Sequence, residues 1–196
     1  MNILELFCGT KSIGKCCDKL GWNSVSVDME KKFNPTHLCN IMDFDYKQYP
    51  KDYFDIVWSS PPCTEYSKAK SRGIRDIDGA NKIVIRTIEI INYFNCEYWF
   101  IENPQTGKLK DQSFMKDFNF VDGDYCMYGK EYRKRTRFWT NKDCKLKLCD
   151  KNCGSFIDGK HLGSCGNGYK KYSNKSYSLQ EKYSIPEDLI FSLFFE

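Results

Sequence analysis

Hydrophobic positions along the chain switch between two spacings. Asn2–Phe7 is a short apolar run stopped by Cys8-Gly9-Thr10, the pattern of a buried strand. Ser12 to Leu20 carries Ile13, Cys16, Cys17 and Leu20 at helical spacing, and Gly21 ends it. Trp22–Asp28 predicts a second strand, His37–Met42 a third and Asp55–Ser60 a fourth, the last stopped by Pro61-Pro62. Ile83 to Phe94 is an amphipathic helix, and Tyr98–Ile101 a fifth strand ending at Glu102-Asn103-Pro104. Phe114–Phe118 closes another helix, with late strands over Phe120–Tyr128 and Thr136–Thr140. Ile185-Pro186-Glu187-Asp188 opens a final helix, with proline and acids where a helix start favours them.

Alternation of this kind predicts an α/β fold, a mostly parallel sheet flanked by helices. Ligands of such sheets sit outside the carboxyl ends of the strands. Cys8-Gly9-Thr10, Pro61-Pro62-Cys63 and Glu102-Asn103-Pro104 all fall at those ends. From Asn141 to Tyr183 the periodicity fades and Lys, Gly, Ser, Asn and Cys dominate. The chain therefore divides into a core over 1–140, a small insertion over 141–183, and a C-terminal helix over 184–196 that docks back on the core.

Composition narrows the class. A chain of 196 residues with 41% hydrophobic and 16% aromatic residues supports one core without disulfide staples. No apolar run approaches the roughly 18–20 residues of a membrane span. Met1–Phe7 lacks the basic region of a signal peptide. The eleven cysteines are odd in number and include the adjacent Cys16-Cys17. Free thiols in a reducing, intracellular compartment are expected: the cytoplasm, or the nucleus in a eukaryotic host. The net charge of +4 conceals a split, because residues 130–182 carry +9 and the remainder −5. A basic segment on a neutral-to-acidic body is the footprint of a polyanion-binding face, or of a solvated lysine-rich loop.

The candidate chemistry lies at the strand ends. Gly9 lets backbone approach a ligand beside a helix N-terminus, and Asp28 is placed to accept hydrogen bonds from a ribose diol. Lys11 rules out a dinucleotide fingerprint, since a second glycine would stand there. Cys63 follows a stiff Pro-Pro pair just past a strand end, where a nucleophilic thiol has access. Glu102 ends the neighbouring strand and supplies a carboxyl group to the same crevice. Tyr132 to Trp139 holds four cations, and alternation sends Arg135 and Arg137 to one face. If that face is the crevice, they hold a base carbonyl or phosphates.

Four segments in order, Leu4-Glu5-Leu6-Phe7-Cys8-Gly9-Thr10, Ser60-Pro61-Pro62-Cys63-Thr64-Glu65-Tyr66-Ser67, Ile101-Glu102-Asn103-Pro104 and Arg135-Thr136-Arg137-Phe138, resemble successive motifs of the cytosine-C5 DNA methyltransferases. Ser184 to Ile190 resembles that family's C-terminal stretch, and the details look most like its small phage- and virus-encoded branch. The resemblance implies a Rossmann-like fold that uses S-adenosylmethionine and a target base flipped out of the duplex. It implies that Cys63 attacks C6 of cytosine, that Glu102 contacts N3 and the exocyclic amine, and that Arg135 or Arg137 holds the base O2. It places the cofactor over Phe7, Gly9 and Thr10, its ribose on Asp28 beside Met29, and its adenine at Asn40-Ile41. Thr64, Pro104, Lys11, Asn40 and Arg133 depart from the family pattern. None of them removes a catalytic group.

That family normally adds a recognition domain after the arginine motif, and only 141–183 is available here. The segment spaces its ligands as Cys144-x4-Cys149-x3-Cys153-x7-His161-x3-Cys165. A loop-rich segment of this size buries too little apolar area alone, so one zinc ion is expected on Cys144, Cys149, Cys153 and either His161 or Cys165. The runner-up readings are an RNA cytosine-C5 methyltransferase, or an inactive methyltransferase fold that binds nucleic acid.

Overall fold

The computed structural model describes residues 1–68, 70–165 and 177–196. Part of the basic insertion, 166–176, lies outside the described residues. A sheet of seven strands forms the centre: β1 (Asn2–Leu6), β2 (Asn23–Asp28), β3 (His37–Leu38), β4 (Ile56–Ser59), β5 (Tyr98–Pro104), β6 (Phe120–Asp124) and β7 (Arg135–Thr140). Their order is β3-β2-β1-β4-β5-β7-β6. β7 runs antiparallel to both of its neighbours, and the other pairings are parallel. β1 and β4 are almost wholly buried, which explains their unbroken apolar sequence, since both faces of a parallel sheet are covered.

The helices are α1 (Ser12–Leu20), α2 (Ile77–Tyr93), α3 (Leu179–Tyr183) and α4 (Glu187–Phe195). One face packs Leu4, Leu6, Val57 and Ile101 with Val84 and Ile90 of α2. The other packs Ile3, Ile56, Trp58, Phe100 and Phe138 with Ile13 of α1 and Leu189, Ile190 and Leu193 of α4. Those three α4 side chains are fully buried, each stabilising by about 1.5–3 kcal/mol relative to exposure. α1 stops at Gly21, whose left-handed φ of 67° lets the Trp22 N–H reach back to the Cys17 carbonyl at 2.9 Å.

Several elements differ from the sequence expectation. α2 starts six residues before Ile83, because the Asp76 carboxylate caps it by accepting from the Gly79 N–H at 2.8 Å. Phe114–Phe118 is not the end of an α-helix, and only short 3-10 turns run over Lys108–Asp111 and Ser113–Met115. β3 spans just His37–Leu38, and Phe120–Tyr128 splits into β6 and a 3-10 turn over Tyr125–Tyr128.

Beyond β7 the chain lies along β6, at the sheet edge. The Asp124 N–H donates to the Lys147 carbonyl at 3.1 Å, and the Lys147 N–H to the Tyr128 hydroxyl at 2.8 Å. A Cβ at Gly123 would stand 2.9 Å from Leu146 Cδ1 and 3.2 Å from its Cβ, so a side chain there would force Leu146 to shift. A small hairpin follows, β8 (Phe156–Ile157) and β9 (Lys160–His161). Its turn is Asp158-Gly159, both at positive φ. Among the described residues no helix is long and apolar enough to cross a membrane.

Candidate active site

The carboxyl ends of β1, β2, β4 and β5 open into one cleft of about 410 Å³. Phe7, Gly9, Thr10, Asp28, Met29, Asn40 and Ile41, all expected from the sequence, line it. So do Cys63 and Glu102. This volume lies within the range of small-molecule and cofactor sites.

On the β1–β2 side the turn is tightly bent. Phe7, Gly9 and Lys11 all have positive φ, of 58°, 45° and 55°. The Gly9 N–H donates to Asp28 Oδ2 at 2.9 Å, and the Glu30 N–H to Oδ1 at 2.8 Å. Asp28 is thereby fixed at the rim with further acceptor capacity on each oxygen. Lys11 turns away from the cleft and donates to the Asn34 carbonyl at 2.5 Å. Its departure from the family's glycine therefore leaves the pocket open, at the cost of a left-handed non-glycine residue. Glu30, which the sequence did not single out, lines the same cleft and pairs with Lys32.

Glu5 lies beneath this turn, 3% exposed, and accepts from the Ile13 and Gly14 N–H groups at 3.2 and 3.1 Å. Burial pushes its carboxyl up to about 7, against those N–H bonds and the charges of Lys11 and Lys15. The folded state thus binds this proton more tightly than the unfolded chain. The stability Glu5 contributes is complete below its ordinary 4.5 and lost as pH rises to about 7. Glu5→Gln should remove that loss, about 3 kcal/mol over the window. Urea unfolding of both proteins at pH 4.5 and pH 8 checks it, and parallel pH dependence would contradict it.

On the β4–β5 side, parallel pairing sets Ser59 beside Ile101, so the turn that carries Cys63 after β4 neighbours Glu102 near the end of β5. The buried Asn103 Nδ2 donates to the Pro61 carbonyl at 3.0 Å, tying the Pro-Pro-Cys turn to β5. Cys63 is half-buried; its thiol is raised above its ordinary value by burial and then by Glu102, while Lys134 pulls it back. Glu102 is 7% exposed and accepts from the Tyr125 hydroxyl at 3.3 Å. Burial, then Glu102, drives the Tyr125 phenol well above its usual range, so it remains a donor. Cys8 also lies at the cleft but differs: burial and the Glu5 and Asp28 carboxylates push its thiol to about 12. That thiol is inert.

The arginine motif departs from expectation. Glu102 pairs with Phe138 across β5 and β7. Alternation then puts Lys134, Thr136 and Phe138 on the Glu102 face, and Arg135 and Arg137 on the opposite one. Arg135 Nη2 bonds Asp124 Oδ2 at 2.6 Å, while Arg137 Nε bonds Asp122 Oδ1 at 2.8 Å and stacks on Phe120. Neither lines the cleft. Lys134 does, with its Nζ 3.7 Å from Glu102 Oε1.

A profile of the C-5 cytosine-specific DNA methylase family matches residues 1–120. The chain belongs to this family. Its relatives include the probable DNA (cytosine-5)-methyltransferase of Frog virus 3 (isolate Goorha), 34% identical over 156 residues, covering 72% of this chain and 71% of the relative. Among solved structures, the Spodoptera frugiperda DNMT2 mutant aligns with a TM-score of 0.52 at 18% identity, over 78% of this chain and 56% of that one. The Entamoeba histolytica methyltransferase EhMeth gives 0.55 at 16%, over 76% and 57%. At such identity these structures show the shared fold, an α/β methyltransferase sheet. The chain spans little more than half their length.

The late segments complete this methylase's cleft: Leu179, Gln180 and Tyr183 of α3, with Ile185, line its open side. Ser178 caps α3 in a reciprocal capping box with Glu181. In the insertion, the structure brings Cys149, Cys153 and His161 together as the sequence suggested, but the fourth member is Cys126. Cys144, expected as a ligand, packs instead against the α1–α4 core, and Cys165 Sγ faces the Arg133 carbonyl. Cys126 belongs to the 3-10 turn after β6 and precedes Cys149 by 23 residues, so no local spacing announced it.

Proposed function

We propose that the protein transfers a methyl group from S-adenosylmethionine to C5 of cytosine in DNA, with Cys63 as a covalent nucleophile. The observation that carries this reading is one cleft lined by the seven cofactor-side residues together with Cys63 and Glu102. The chemistry of its lining fits the cofactor. Asp28 offers acceptors to a ribose, the buried Ile41 an apolar surface to an adenine, and the Phe7–Thr10 turn its backbone beside a helix N-terminus. Bound there, the cofactor supplies an electrophilic methyl group on a sulfonium sulfur.

Cys63, as thiolate, forms a bond to C6, which makes C5 nucleophilic. Glu102 contacts N3 and the exocyclic amine and assists the addition, held in place by Tyr125. After C5 is methylated, its proton leaves to a base, the Sγ–C6 bond breaks and the thiolate returns. Glu102 is too buried to meet a base stacked within a duplex, so the cytosine enters flipped out. DNA rather than RNA is favoured by the matching family and by the name of the viral relative. Labelled methyl transfer to DNA and to RNA in parallel tests this, with calorimetric titration of S-adenosylmethionine. Label in RNA alone would move the substrate. No label and no cofactor binding would favour an inactive nucleic-acid-binding fold.

With Arg135 and Arg137 engaged on the far face, Lys134 is the cation that serves the site in this reading. Its charge stabilises the Cys63 thiolate against burial and Glu102. Lys134→Met should therefore shift the rise of kcat/KM to higher pH by about one unit, and Lys134→Arg should restore most of it. A pH profile unchanged in Lys134→Met would contradict the role.

A further inference from the structure

We propose that Cys126, Cys149, Cys153 and His161 bind one structural zinc ion that clamps the insertion to the corner between β6 and β7. This rests on the cluster alone, independently of the methyl-transfer reading. The four ligand atoms lie within 4.8 Å of one another, and Cys149 Sγ is 3.4 Å from His161 Nε2. In tetrahedral zinc sites, bond lengths of about 2.3 Å to sulfur and 2.0–2.1 Å to nitrogen place ligand atoms roughly 3.5–3.8 Å apart. The group is therefore nearly assembled. Three sulfurs and one imidazole are a preferred zinc set, and four protein ligands leave no open position, as in a structural site.

Burial gives a second line of argument. Among the described residues of 141–165, Cys149 and Cys153 are the only buried hydrophobic side chains, while Leu148, Ile157 and Leu162 are exposed. The segment's interior consists of its ligands. A unit with no apolar core draws its folding energy from a bound metal.

The connection to the methylase core is direct. Cys126 comes from that core, so the ion would join two parts of the chain rather than close one loop. The Cys149 N–H donates to Asp124 Oδ2 at 2.8 Å, the carboxylate that holds Arg135 and Arg133.

The test is metal analysis of the full chain, expressed with zinc and purified without chelator, beside Cys126→Ser and Cys144→Ser. About one zinc per chain is expected in the native protein and in Cys144→Ser, with loss in Cys126→Ser. Absence of zinc from the native protein, or a disulfide between any two of the three cysteines, would overturn the proposal. Loss in Cys144→Ser with retention in Cys126→Ser would overturn the ligand set. Should Cys126→Ser fail to fold, cobalt substitution in the native chain decides. Tetrahedral ligand-field bands with strong thiolate charge transfer are expected, and an octahedral spectrum contradicts the site.

Discussion

Cys63→Ala is expected to lower methyl transfer by roughly 10⁴-fold or more, the scale on which loss of a covalent nucleophile falls. Affinity for S-adenosylmethionine should stay close to that of the native protein, because the cofactor-side residues belong to the loops after β1 and β2 and to the β3 region. Cys63 sits on the separate loop after β4. Structure should survive as well. The side chain is half-buried, and its turn is pinned by the Asn103 bond to Pro61 rather than by the thiol. Labelled transfer and calorimetry on one preparation separate these effects. The other cysteines cannot substitute for it. Cys8 and Cys39 also line the cleft, and burial raises both thiols, that of Cys8 to about 12. Retained activity in Cys63→Ala would remove the nucleophile from the account.

Asp124→Ala should produce the largest loss of stability, roughly 3 kcal/mol, which for a chain of this size lowers the thermal midpoint by about 6–12 °C. Asp124 is fully buried and accepts four hydrogen bonds, from Arg133, twice from Arg135 and from the Cys149 N–H. Burial alone would raise its carboxyl, but Arg135, the Cys149 N–H and Arg133 outweigh it and hold the group below its ordinary 3.8. A depressed folded value means that its stabilisation is present above pH 3.8 and lost as pH falls below it. Asp124→Ala should therefore cost more stability at neutral pH than in acid. Asp122→Ala serves as a comparison. Its pair with Arg137 is partly exposed, and about 1 kcal/mol is expected. Calorimetric melts at pH 7 and pH 3 check both, and equal losses at the two positions would contradict the buried network.

Much of this architecture was legible in the sequence because the core strands announce themselves. β1, β2, β4 and β5 are short apolar runs ended by glycine, aspartate, proline or an Asn-Pro pair, and the strand ends then fix where a ligand lies. Cys63 and Glu102 stood out because each interrupts such a run at its end. What was lost had specific causes. The start of α2 is set by one capping carboxylate, Asp76, before a stretch with no apolar period. The arginine motif turned on a single step of alternation, since the β5–β7 register alone decides whether Lys134 or Arg135 faces Glu102. Cys126 lies on the core side of a boundary drawn by composition, and only the fold carries it to Cys149. The Asp158-Gly159 hairpin was hidden in a segment whose polarity masked its two-residue strands.

The most direct test is to incubate the native chain and Cys63→Ala with S-adenosylmethionine and a cytosine-containing DNA duplex, digest the product, and identify the methylated nucleoside by mass spectrometry. The account predicts 5-methyldeoxycytidine from the native chain and none from Cys63→Ala. Methylation of an exocyclic nitrogen, or 5-methyldeoxycytidine made equally well without Cys63, would contradict it.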